Sequence, residues 1–172
     1  ITDKMHLKVS SSHSIGSYEC LDFLLVNLPF REYLYSQSLQ LGLLYVASSL
    51  KKEGFTVKVI DDAELDTATF LALYKKNRPR ILGFHVNTDA VPSVGRVLEL
   101  LRSEQLLPEL IIFGGSHVTI EDKVLLHQEW GDIVVRGEGE MTTVEIGRWF
   151  LRGEGKLSDI NGITYKNKNG KI

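Results

Sequence analysis

Five times along this chain a short apolar run gives way to a stretch of helical spacing, the pattern of parallel strands joined by crossover helices. The runs are Phe23–Leu28, stopped by Pro29; Phe55–Ile60, alternating and β-branched; Ile81–Val86; Leu110–Phe113; and Asp132–Val135. Helices are predicted over 39–52, 66–77, 91–105, 119–130 and 141–151. In the first, Leu39, Leu43, Leu44, Val46, Ala47 and Leu50 recur at helical spacing, and Gly54 follows where a left-handed cap is favoured. Pro92 falls in the first turn of the third helix, and Thr119 is placed to cap the fourth. Five such units predict an α/β fold: a doubly wound, mostly parallel five-stranded sheet of order 2-1-3-4-5, with apolar strands covered on both faces. After the last helix the grammar changes. Ile163–Lys166, a turn through Asn167 to Gly170, and Lys171–Ile172 predict the start of a β-hairpin whose second strand is cut short. The expected organisation is a flexible polar segment over 1–20, one domain over 21–153, and a linker with the hairpin start over 154–172.

Composition narrows the partners. At 172 residues the chain can bury one sizeable core, and 43% hydrophobic with 24% charged residues is an ordinary globular balance. A net charge of -2 with scattered Lys and Arg lacks the basic footprint of a nucleic-acid binder. No apolar run approaches the roughly 20 residues of a membrane span, and 1–17 has no signal-peptide core. A cytoplasmic location is expected, and a chain beginning at Ile1 is expected to have been trimmed or excised from a longer protein. Cys20 is the only cysteine, so neither an internal disulfide nor a cysteine-ligated cluster can form within these residues.

Ligands of open parallel sheets bind beyond the carboxyl ends of the strands, near the switch in strand order. Gly114-Gly115 after the fourth strand would let a flat ligand approach the backbone, and a tight strand-to-helix turn would want the same glycines. Ser116, His117 and Thr119 add polar groups at the following helix start. Arg136-Gly137-Glu138-Gly139-Glu140 opens the last helix, its carboxylates suited either to the helix dipole or to a polar ligand edge. No G-x-G-x-x-G follows strand one, which argues against a dinucleotide site. A phosphorelay receiver domain shares the strand order but needs carboxylates ending strand one, and here that strand ends Asn27-Leu28-Pro29.

Taken together these loops resemble a known family. Leu41-Gly42-Leu43-Leu44-Tyr45-Val46-Ala47 and Lys52–Asp61 are similar to the opening of cobalamin-binding domains in radical S-adenosylmethionine (SAM) enzymes. Phe113–Thr119 resembles that family's G-G-x-H-x-T segment, Asp132–Glu140 its D-x-V-V-x-G-E-G-E segment, and Ile160–Tyr165 its linker to the catalytic barrel. The ordered set covers about Asp22 to Ile172.

The resemblance implies a Rossmann-like, flavodoxin-like domain that binds cobalamin base-off, with the dimethylbenzimidazole tail in the sheet crevice. It also implies a following barrel of the same polypeptide that carries a [4Fe-4S] cluster and SAM, so that these residues bind cofactor without performing catalysis. Implied cofactor contacts are Asn87, Thr88 and Asp89; Gly114, Gly115, Ser116, His117 and Thr119; Arg136, Gly137, Glu138, Gly139 and Glu140; and Tyr33, Leu41 and Gly42. The chain departs from the wider cobalamin-binding group in lacking D-x-H-x-x-G after strand one. Ser11-x-His13-x-x-Gly16 precedes that strand and has no Asp, so a His lower ligand to cobalt is not expected. Phe30, Tyr33, Leu34 and Tyr35 could instead lie against the corrin, or pack in the core or against another domain. His85, within strand three, is expected to be a hydrogen-bonded core histidine. Methyl transfer or related radical chemistry is implied for the intact protein. Two other readings stay open: a non-catalytic interaction domain that docks a barrel without cofactor, and a nucleotide-sugar-binding half of a transferase.

Overall fold

A computed structural model of the chain describes residues 20–28, 40–61, 66–166 and 172. The elements run β1 (Phe23–Asn27), α1 (Leu41–Lys52), β2 (Val57–Asp61), α2 (Thr67–Asn77), β3 (Ile81–His85), α3 (Val91–Ser103), β4 (Leu110–Gly114), α4 (Ser116–Ile120), α5 (Val124–His127), β5 (Ile133–Val135), α6 (Glu140–Gly147) and β6 (Ile163–Tyr165). They form one sheet of order β2-β1-β3-β4-β5-β6. The first five strands pair in parallel and β6 is antiparallel to β5. The doubly wound fold class and the order of the five parallel strands are as the sequence predicts.

Alternation along each strand divides the core between the two faces. Leu24, Val26, Leu82, Phe84, Ile111 and Phe113 pack on the face covered by α2 and α3, with Phe70, Tyr74, Val94 and Leu98. Phe23, Leu25, Ile81, Ile112, Ile133 and Val135 pack on the opposite face against Leu43, Ala47 and Leu50 of α1 and Val144 and Ile146 of α6. Local signals start the helices where propensity dictates. The Asp66 carboxylate accepts from the Thr69 backbone N–H at 2.6 Å to cap α2, and Pro92 sits in the first turn of α3, where its missing N–H has no helical partner to lose. No helix among the described residues is long and apolar enough to cross a membrane.

Two expectations are corrected. Ile163–Tyr165, predicted to begin a β-hairpin, is the sixth strand of the main sheet, where five were expected, with Ile133 opposite Tyr165 and Val135 opposite Ile163. The Arg136 backbone N–H donates to Gly162 O at 2.8 Å, and Ile163 and Tyr165 pack on the α1/α6 core, so burial rather than a local turn places this strand. The turn over 167–170 and Lys171 lie outside the described residues, as does the segment over 1–19. The helix predicted over 119–130 is two short helices, α4 and α5. Thr119 does not cap it: its Oγ1 donates to Gly115 O at 2.9 Å and accepts from the Gly137 N–H at 3.2 Å. Asp122, in the break, accepts from Thr164 Oγ1 at 2.6 Å and faces the Arg136 guanidinium at 3.9 Å. These tertiary bonds to the β5–α6 and β6 segments outweigh the helical preference of Glu121 and Lys123.

Candidate functional site

Parallel register sets Asp61 of β2, Asn27 of β1, His85 of β3 and Gly114 of β4 in one row across the carboxyl end of the sheet. All four share the face covered by α1 and α6. The Asn27 side-chain N–H donates to Asp61 Oδ1 at 2.8 Å, and the Gln40 backbone N–H to Asp61 Oδ2 at 2.8 Å. A carboxylate only accepts, so the Asn27 amide must turn its nitrogen toward Asp61. Its Oδ1 is then a buried acceptor with no partner among the described residues, a state that costs about 1–3 kcal/mol unless a ligand or water meets it.

Beside this row a cleft of about 150 Å³ opens between the sheet and the helix pair α1 and α6. Its walls are apolar: Leu25, Ile112 and Val135 from the strands, Leu43 and Val46 from α1. A cavity of about this size accepts one aromatic ring. Gly83, two residues before His85 on the same face of β3, forms part of the cleft lining. A Cβ there would lie 2.7 Å from Leu25 Cδ2 and 3.3 Å from Ile112 Cγ1, so any side chain would displace the walls.

The paired glycines after β4 have different reasons to exist. Gly115 has φ 111° and ψ -179°, a region only glycine enters readily, and a Cβ on it would sit 2.6 Å from Val86 O and 3.1 Å from His85 Cε1. Its bareness lets β4 close on the end of β3, with Val86 N–H donating to Gly114 O at 2.7 Å and His117 N–H to Val86 O at 3.2 Å. Gly114 needs no special backbone conformation, and a Cβ on it would meet only Val135 O, at 4.0 Å. Its missing side chain leaves cleft volume open and satisfies no packing need.

Of the residues singled out from sequence, Gly42, Gly114, Gly115, Gly137, Glu138, Gly139 and Glu140 line this cleft. Leu41 stands next to Gly42 and is 62% exposed. Asn87, Thr88, Asp89, Ser116, His117, Thr119 and Arg136 stand outside the lining. Asn87 Oδ1 accepts from the Ala90 N–H at 3.2 Å to cap a short 3₁₀ turn over Thr88–Ala90. Thr88 Oγ1 and His117 Nδ1 are hydrogen-bonded at 3.2 Å, and His117 Nε2 is buried without a partner among the described residues. Arg136 turns toward β6, donating to Ile163 O at 3.2 Å. Tyr33, with Phe30, Leu34 and Tyr35, lies outside the described residues. Among the described residues no three His, Cys, Asp or Glu side chains converge as a metal site.

Sequence reasoning passed over Gly83, Val46, Thr143 and His85 as cleft residues. A glycine inside an apolar strand was the available signal for close approach. His85, expected to be a hydrogen-bonded core histidine, is half-buried at the cleft. Burial lowers its pKa below the ordinary 6.5, with the Asp61 carboxylate opposing that shift. Below pH 6.5 the unfolded chain takes up this proton more readily than the folded one, so stability falls as pH drops from 6.5 toward the lowered value. Melting temperatures measured at pH 7.5 and 5.5 are expected to show this loss, and His85→Leu is expected to shrink it. An equal acid loss in the variant would assign the slope to other groups.

Apolar walls, bare glycine positions and the carboxylates of Glu138 and Glu140 in the lining suit a flat, largely apolar ring with one polar edge, and disfavour a phosphate. Comparison with known proteins agrees. A family model described as the B12 binding domain matches residues 32–147. An uncharacterized methyltransferase of Pyrococcus horikoshii is 33% identical over 137 residues, 77% of this chain and 28% of the relative. The cobalamin-dependent SAM radical enzyme OxsB, solved with aqua-cobalamin and SAM bound, superposes with a TM-score of 0.78 at 22% identity, over 97% of this chain and 25% of that one. The radical SAM methyltransferase TsrM of Kitasatospora setae, solved with cobalamin and a [4Fe-4S] cluster, gives 0.70 at 21% identity, over 88% of this chain and 30% of that one. This chain therefore spans under a third of each of these proteins. With the family model covering most of the chain and the fold shared throughout, the chain belongs to the B12-binding domain family.

Proposed function

We propose that this chain is the cofactor-holding domain of a larger cobalamin-dependent radical SAM enzyme, and that it binds cobalamin base-off, with the nucleotide tail in the cleft beneath α1 and α6. The carrying observation is the cleft itself, apolar, floored in part by Gly83 and left open by Gly114 where the strands end. Leu41 and Met141 each adjoin a lining residue in sequence and leave large apolar side chains 62% and 63% exposed, a suitable rim for the corrin. The β1–α1 connection over 29–38 contains no histidine, which favours a lower cobalt face without an imidazole ligand. The cofactor would supply a cobalt centre able to carry a methyl group. The residues of this chain would bind its tail, exclude water from the base and present the corrin to a barrel, which would itself hold the [4Fe-4S] cluster and SAM. Methyl transfer is the reaction named for the P. horikoshii and Kitasatospora proteins, and it is the reaction proposed for the intact enzyme here.

Titrating the purified chain with hydroxocobalamin is expected to shift the visible spectrum and to carry pigment through gel filtration with the protein. A colourless protein peak would overturn the reading and favour an interaction domain that docks a barrel without cofactor. Thermal stabilisation by nucleotide sugars but not by cobalamin would favour the transferase reading instead.

A further inference from the structure

Strand β6 is seated on the same stretch of backbone that forms one edge of the cleft. Gly137, Glu138, Gly139 and Glu140 line that edge, and a Cβ on Gly137 would meet nothing within 4 Å, so packing does little to fix it. Hydrogen bonds to segments outside the cleft hold it instead. The Arg136 N–H donates to Gly162 O at 2.8 Å, the Gly137 N–H to Thr119 Oγ1 at 3.2 Å, and Thr142 Oγ1 to Asn161 O at 3.3 Å. A Cβ on Gly162 would lie 3.4 Å from Arg136 O, a measure of how closely the 161–163 segment sits on the loop. The Arg136 side chain adds to this. Its Nη2 donates to Ile163 O at 3.2 Å, and its Nε faces Asp122 Oδ2, which accepts from Thr164 Oγ1. The strand has few other ties: three half-buried residues that pair with β5 and, among the described residues, with no other strand. An edge held this lightly opens well below the free energy of global unfolding.

We propose that Arg136 is a positioning residue that couples the cleft to strand β6. A cofactor that fills the cleft holds the 137–140 backbone, the held backbone presents Arg136 to Gly162 and Ile163, and a docked β6 in turn steadies the cleft edge. Coupling of this kind is reciprocal: whatever the cofactor does for the strand, the strand does for the cofactor. The inference rests on the cobalamin reading and goes beyond it, since Arg136 stands outside the cleft lining and acts on the cofactor through the loop.

The test combines visible titration with hydroxocobalamin and hydrogen–deuterium exchange over 160–166, in wild type, Arg136→Ala and Thr164→Val. Saturation of wild type is expected to slow exchange there about fivefold or more in the first minutes, when local opening carries the exchange. Helix α3, on the opposite face of the sheet, should be unaffected over the same interval. In Arg136→Ala the pigment should still bind, but the slowing over 160–166 should be lost. Thr164→Val cuts the connection from the strand side, outside the cleft, and should weaken hydroxocobalamin binding about fivefold. It also keeps the coupling open to test should Arg136→Ala fold poorly by far-UV circular dichroism. Wild type that binds hydroxocobalamin with unchanged exchange over 160–166 would overturn the coupling and leave cobalamin binding standing. Equal slowing in α3 would assign the effect to general stabilisation by ligand and overturn it too. Full slowing in Arg136→Ala would overturn the role of Arg136. Failure of wild type to bind hydroxocobalamin would remove the cobalamin reading and this inference with it.

Discussion

Replacing Gly114 with phenylalanine is expected to raise the dissociation constant for hydroxocobalamin at least a hundredfold while the domain stays folded. The position separates binding from stability because its side-chain space belongs to the cleft. A Cβ added there meets only Val135 O at 4.0 Å, and the residue closes a regular strand in extended conformation. Phenylalanine suits such a strand better than glycine does, so the melting temperature should hold or rise slightly. Its ring would fill much of a cleft of about 150 Å³, a volume comparable to one that holds a single benzene ring, and so would compete with the tail base for that space. Visible titration alongside thermal melts checks both halves. A folded Gly114→Phe protein that binds hydroxocobalamin like the wild type would show that the tail does not use this cleft.

Strands β1, β3, β4 and β5 were legible because each is buried on both faces and so appears as a continuous apolar run, and the edge strand β2 because it alternates, with Pro29, Gly54 and Asp66 marking the boundaries. The strand β6 was harder to place. Three residues alternating Ile-Thr-Tyr fit any edge or hairpin, and only the packing of Ile163 and Tyr165 beside Val135 and Ile133 assigns them to this sheet. The break between α4 and α5 was invisible for a similar reason, since it depends on Thr119 and Asp122 bonding to residues 137 and 164. At the site, the strand-end rule picked loops of which Gly114, Gly137 and Glu140 reach the cleft. It could not say which face each side chain takes. That choice follows from register, which sets His85 and Gly83 on the cleft face, whereas His117 pairs with Thr88 outside it.

The neighbouring glycine provides the opposite result to Gly114. Gly115→Ala is expected to destabilise the domain by about 3 kcal/mol or more, a large fraction of the 5–15 kcal/mol that holds a typical domain folded. Two effects act together. With φ 111° and ψ -179° the backbone occupies a region essentially closed to residues with a Cβ, and the added methyl would lie 2.6 Å from Val86 O and 2.9 Å from Val86 N. Both contacts are backbone, so no rotamer change relieves them. The chain can accommodate the methyl only by separating β4 from the end of β3, which breaks the Val86–Gly114 and His117–Val86 hydrogen bonds and releases the His85 ring that Gly115 bounds. Chemical denaturation should show a lower midpoint with an unchanged slope, together with weakened corrinoid binding in whatever fraction stays folded. A Gly115→Ala protein as stable as the wild type would mean that the β3–β4 junction is not closed as described. Because Gly114→Phe and Gly115→Ala differ by one position yet should fail in different assays, the pair tests whether the two glycines divide between ligand space and backbone closure.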